Sequence, residues 1–104
     1  WKYAPGHLGA TASIYAIKGA SADKKLKAPG KFNVSRIVAQ GNKIEHWLNG
    51  EKVAEIEIGS EDWKKRHAKS KFKSRPDFGT KLGRIMLQEH GGQVPFRNLK
   101  IRKL

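Results

Sequence analysis

No cysteine occurs in the 104 residues, which excludes disulfides and thiolate metal sites and leaves the redox compartment open. Apolar runs never exceed a few residues, far short of a membrane span, and no signal peptide is visible. Familiar catalytic and ligand-binding spacings are missing as well: no His-x-x-x-His, no paired carboxylate cluster, no calcium loop, no phosphate-cradling glycine loop and no nucleophile elbow. Acidic residues are scarce, with 9 Asp and Glu against 22 Lys and Arg, so the formal charge is +13. An excess of this size attracts nucleic acid, acidic lipid headgroups or an acidic protein surface whatever the fold. It bears on association, not on chemistry. No nucleic-acid-binding motif accompanies the charge, which disfavours nucleic acid against an acidic protein or lipid surface.

What is present fits one small domain with a single core, burying roughly two-thirds of the surface of its unfolded chain. The chain opens on Trp1, so the expectation is a piece of a longer polypeptide. Trp1 to Gly9 carries Pro5, Gly6 and Gly9 and forms an irregular lead-in. Ala10 to Ile17 has β-branched and aromatic residues and is expected to be a strand. Residues 18–31 form a surface loop around Pro29-Gly30. The pattern then sharpens. Phe32 to Ala39, Ile44 to Leu48 and Lys52 to Ile58 are strand-like, joined by Gln40-Gly41-Asn42-Lys43 and by Asn49-Gly50, a strong hairpin signal. In the third run Ala54, Ile56 and Ile58 share one face, with Val53, Glu55 and Glu57 on the other. These predict an antiparallel three-stranded meander.

Ser60 followed by Glu61 and Asp62 marks a helix start, with Trp63 to Ser70 as two helical turns. Lys64 to Arg75 carries seven basic residues and no acidic one. A solvated cationic face explains such a run, with docking onto an acidic partner or lipid surface as the alternative. Gly83 to Glu89 and Val94 to Ile101 are expected to be two closing strands. About six strands and one short helix predict an all-β antiparallel sandwich or barrel.

Three stretches resemble the 3-keto-disaccharide hydrolase family. The first is Phe32-Asn33-Val34 through Gly41-Asn42-Lys43 to His46-Trp47-Leu48-Asn49-Gly50. The second is Trp63 to Phe72 with Pro76-Asp77-Phe78-Gly79. The third is Leu87-Gln88-Glu89-His90-Gly91 followed by Phe96-Arg97-Asn98-Leu99. Phe32 stands where the family usually has Trp, Glu89 where it has Asp, and Pro95 where it has an aromatic residue. The resemblance implies a concanavalin-like jelly roll, a carbohydrate ligand, activity on 3-keto sugars or their glycosides, and an exported, periplasmic or extracellular protein. Family domains run to nearly twice this length. Residues 1–104 are therefore expected to be the C-terminal half of one such domain, inactive alone, and any divalent metal would be shared with residues outside it.

Cleaving a 3-keto-glycoside by removing the C2 proton and expelling the C1 substituent needs a base, an electrophile for the enolate and an acid for the leaving oxygen. Alternation in the penultimate strand places Arg84, Met86, Gln88 and His90 opposite Ile85, Leu87 and Glu89. His90, beside Gly91-Gly92, is the leading catalytic candidate; its alternative is a turn histidine bonding local backbone. Glu89 is either an acid or base or a solvated carboxylate. Arg97, where Arg97-Asn98 breaks the alternation, either stabilises an enolate or bonds loop carbonyls. Gln88 and Arg84 are candidate sugar contacts. His46 is a third, although its face, shared with Ile44 and Leu48, favours a satisfied half-buried histidine. Trp47 and Trp63 either stack on sugars or pack in the core, the commoner fate. His7 and His67 are assigned no role. The alternative function is a non-catalytic structural or sugar-binding sandwich docking through its basic face.

Overall fold

The computed structural model describes residues 3–104. Three strands and one helix form in the order β1 (Ser35–Gln40), β2 (Lys43–Leu48), β3 (Glu51–Glu57) and α1 (Glu61–Ala68). The strands make one antiparallel sheet in the order β1-β2-β3, the meander that the turn residues predict. Gly41 turns the chain from β1 to β2 at φ 59°. Asn49 and Gly50 join β2 to β3 at φ 50° and 87°, the pair of positive angles that a two-residue hairpin needs and that Asn and Gly tolerate best.

Asn49 is more than a turn residue. Its Oδ1 accepts from the Val34 amide at 2.9 Å, and its Nδ2 donates to the Lys25 carbonyl and to Asn33 Oδ1, both at 2.9 Å. Asn33 Oδ1 also accepts from the Lys27 amide, so two asparagines fasten the 25–33 loop to the hairpin. Asn49→Ala deletes three of these bonds and leaves in the left-handed region a residue without the polar side chain that lets asparagine tolerate it, so it should cost about 2 kcal/mol. The expected readout is a lower urea midpoint at unchanged m-value.

Register sets the two faces of the sheet. Ile37, His46 and Ala54 align in one row and Ala39, Ile44 and Ile56 in the next, forming the inner face. Arg36, Trp47 and Lys52, then Val38, Glu45 and Glu55, form the outer face. Between these rows the pairing slips, because His46 opposes Ala54 while Trp47 opposes Lys52. Val53 is the extra residue of this bulge. It therefore turns inward beside Ala54 instead of joining Glu55 and Glu57, and both Val53 and Ala54 are buried. Its carbonyl accepts from the Ser21 amide at 2.8 Å and from Ser21 Oγ at 3.1 Å, which ties the N-terminal segment to the sheet.

The core is correspondingly small. Ile17, Ile56 and Trp63 form one buried cluster, flanked by Ile14, Ile58, Phe72 and Phe78. Ala20, Leu48 and Val53 form a second, with Ala12 against it. Helix α1 starts at a side-chain cap: Ser60 Oγ accepts from the Trp63 amide at 3.1 Å, with Glu61 and Asp62 in the first turn. The cap is the predicted one, and the helix ends at Ala68 rather than Ser70. Trp63 is the buried residue of this helix, which settles its role as core packing.

Three expected strands do not form. Residues 1 and 2 of the lead-in lie outside the described residues, and Ala10 to Ile17 makes turns where a strand was predicted. Ala12 and Ala16 take φ 66° and 61°, and Ser13 and Ile17 bond back three residues, leaving a single bridge from Ile14 to Lys18. No neighbouring strand is there to straighten it. Gly83 to Glu89 and Val94 to Ile101 likewise form no ladder, and every residue from 81 to 104 is exposed. A strand exists only against a partner, because its amides and carbonyls must be paired. The described residues thus make one sheet with one packed helix, and no second sandwich layer is among them. No helix among them is long and apolar enough to cross a membrane.

Candidate functional site

A cleft of about 590 Å³ opens where the β1–β2 end of the sheet meets the N-terminal turns and the segment around Phe96. Its lining includes Ala12, Phe32, Asn33, Arg36, His46, Trp47 and Phe96, and contains no carboxylate. Sequence and fold place these groups together for separate reasons. His46 sits on the inner face of β2, opposite Ile37. Asn33 is held by the asparagine clamp, and Val94 to Phe96 come from the far end of the chain.

His46 is half-buried, and its Nδ1 lies 3.0 Å from the Ala12 carbonyl. A carbonyl can only accept, so Nδ1 carries the proton, and Nε2 of the neutral ring is left with a lone pair. The satisfied-histidine reading is correct, yet the same bond prepares Nε2 as an acceptor at the cleft. On the outer face the Arg36 guanidinium lies 4.8 Å from the Trp47 ring centroid, and the indole N–H donates to Glu45 Oε1 at 3.3 Å. The Arg97 guanidinium lies 3.8 Å from the centroid of Phe32, a lining residue. Arg97 therefore stands on an aromatic ring rather than on loop carbonyls, and Asn98 at φ 56° marks the phase break read from the sequence.

The remaining candidates are not gathered here. Arg84, Gln88 and His90 are exposed and make no hydrogen bond or ion pair with any described residue. Glu89 Oε2 accepts from the Gly91 amide at 2.7 Å, closing the local turn. The expected sheet face carrying Gln88 and His90 is thus absent, since the strand lacks a partner. His67, assigned no role from sequence, is structural: it stacks on Trp63 and Phe78, and its Nε2 donates to the Phe72 carbonyl at 2.8 Å. Arg36, Asn33 and Phe96 are the site residues that sequence reasoning missed. The positions of Arg36 and Asn33 in a strand-turn-strand run gave only a face, not a neighbour from the far end of the chain.

Several carboxylates elsewhere are paired with nearby cations. Arg66 Nε donates to Asp62 Oδ1 at 2.8 Å and holds the Asp62 carboxyl below the ordinary aspartate range, against the opposing effect of burial, with Lys18 adding its charge. Lys52 does the same for Glu55, and Glu55 in turn raises Lys52. A carboxyl lowered in the folded state contributes stability above its unfolded pKa, and loses it as the pH falls through the folded value. Asp62→Asn should therefore lower the melting temperature at neutral pH, with the deficit closing as the pH falls through the carboxylate range. A deficit that is constant with pH would exclude the ion pair as its cause.

The sequence model of the 3-keto-alpha-glucoside-1,2-lyase-like domain matches residues 3–102. The chain belongs to this family. Among solved structures it is similar to a protein from Parabacteroides distasonis described as a putative glycosyl hydrolase, at 38% identity and a TM-score of 0.59. That match covers 66% of this chain and 31% of the other, so this chain spans about a third of the neighbour's length. No curated protein matches it. The described residues include no group of three or more His, Asp or Glu that could hold a metal ion, so they do not by themselves fit a metal centre.

Proposed function

We propose that this chain is the C-terminal part of a jelly-roll domain that cleaves 3-keto-glycosides, and that the cleft beside His46 is its share of the sugar site. The observation that carries this reading is the meeting of Phe32 and Phe96 with the oriented His46 imidazole and Asn33 in one opening, with the Arg97 guanidinium on the Phe32 ring. Sugars are bound by rings against their apolar C–H faces and by directional donors against their hydroxyls.

The chemistry follows from the carbonyl at C3. It acidifies the C2 proton, which a base removes to leave an enolate. The enolate then expels the C1 oxygen, which takes up a proton, and a C1–C2 double bond forms; addition of water across that bond gives the free 3-keto sugar. In our reading His90 moves the C2 proton, Glu89 serves as acid or base, and Arg97 faces the enolate oxygen. Gln88, Arg84 and His46 hold the sugar. These roles require residues 83–101 to pair with strands beyond the ones described, which would align Gln88 and His90 on one face. The test is release of the free 3-keto sugar from a 3-keto-glycoside by the protein. Absence of turnover with sugar binding retained would favour the second reading, a non-catalytic carbohydrate-binding module. The carboxylate-free lining of the cleft is the observation behind that alternative.

A further inference from the structure

The asparagine clamp leaves one donor group unused. Asn33 Oδ1 accepts from the Lys27 amide and from Asn49 Nδ2, both at 2.9 Å. A backbone N–H can only donate, so the atom facing Lys27 is the oxygen, and the orientation of the Asn33 amide is fixed. Asn49 is fixed in the same way, with Oδ1 toward the Val34 amide and Nδ2 toward the Lys25 carbonyl. Asn33 Nδ2 is left with two N–H donors and no partner among the described residues. Asn33 lines the cleft, whereas Lys27 and Asn49 do not. Its oxygen is therefore engaged away from the opening, and the NH2 group is the part of this side chain that a ligand there can use.

Both lone pairs of Oδ1 are taken, so Asn33 meets a ligand as a donor only. No carboxylate lines the cleft to accept a proton beside it. A sugar hydroxyl brings a proton together with its lone pairs, and that proton needs an acceptor of its own. A ketone oxygen brings lone pairs alone. A donor without an accompanying acceptor thus satisfies a ketone in full and a hydroxyl in part, which is how a polar site tells one from the other.

We propose that Asn33 is the specificity-determining residue for the 3-keto group: its Nδ2 donates to the C3 oxygen, and Asn49 is the positioning residue that turns the amide. This rests on the cleft reading above for the sugar, and on the clamp for the donor. The C3 oxygen gains negative charge when the C2 proton leaves, so a donor already aimed at it holds the enolate more tightly than the ketone. Arg97, on the ring of the adjacent Phe32, faces the same oxygen in that reading.

The test is calorimetric binding of a 3-keto anhydroglucitol, which has hydrogen where a glycoside has its C1 substituent, beside its 3-hydroxy parent. The unaltered protein should bind the keto probe at least about tenfold more tightly, the worth of one well-placed hydrogen bond. Asn33→Asp keeps an oxygen for the Lys27 amide and for Asn49 Nδ2 and replaces only the NH2 group, so its urea midpoint should be unchanged. Its carboxylate repels a ketone oxygen and accepts from a hydroxyl, so the keto preference should fall about tenfold or invert. His46→Ala should weaken both probes alike. Equal binding of the two probes by the unaltered protein, which needs no variant to measure, would overturn the assignment. So would a keto preference that survives Asn33→Asp while His46→Ala weakens both probes, and the cleft reading would then stand without it. Binding of neither probe, or binding that neither substitution alters, would remove the cleft reading and this assignment together.

Discussion

Trp63→Ala should cost about 3–5 kcal/mol and leave little cooperative unfolding to measure. Trp63 joins the helix to the sheet through Ile56 and to the N-terminal segment through Ile17, and it carries Phe78 and His67 on its ring. Only seven apolar residues are buried among those described, so no other contact can take up the load. A chain of this length has about 5–15 kcal/mol of total stability, and a loss of this size is most of the lower figure. Trp63→Phe keeps a ring against Phe78 and should lose clearly less. Urea unfolding followed by circular dichroism reads both. A Trp63→Ala loss under about 1 kcal/mol would mean that the aromatic stack is not what joins helix to sheet.

His90→Ala should reduce kcat/KM for a 3-keto-glycoside by about 10²–10⁴-fold, the usual worth of a positioned proton-transfer group. The side chain has no competing bond among the described residues, and it precedes Gly91, whose φ of 78° turns the chain sharply there. Its neighbour Glu89 already spends one oxygen on the Gly91 amide, which leaves His90 the freer group for moving a proton. His46→Ala serves as the counterpart. It should raise KM more than it lowers kcat, because its ring is braced by Ala12 and faces the cleft as a hydrogen-bonding group. The opposite outcome, a silent His90→Ala and a collapse of kcat in His46→Ala, would move the base into the cleft.

The meander was legible because its signals are local. Asn49-Gly50, the Gly41 turn and the Ser60 cap each act within a few residues, and each stands where the sequence put it. Failures came where a residue's state depends on distant chain. Ala10 to Ile17 has strand-like composition but no partner, so it curls into turns. Val53 was assigned to the wrong face because alternation assumes an unbroken ladder, and the bulge opposite His46 and Trp47 breaks it. The closing strands have the right alternation and nothing to pair with. For the site, His46 and Arg97 could be named from the sequence, but the nearness of Phe96 to His46 spans half the chain and no local pattern encodes it.

The stretch from Lys81 to Leu104 leaves Leu82, Ile85, Met86, Val94, Leu99 and Ile101 in water. Colloidal behaviour follows from that exposure together with the charge of +13. In dilute buffer, copies repel one another over about 8 Å at physiological ionic strength, far enough to keep these aliphatic groups from meeting. At 1 M salt the range shrinks to about 3 Å, and the same groups become free to stick. Clouding as salt is raised, reversed by desalting, is thus the expected macroscopic face of a ribbon that has no sheet to join among the described residues.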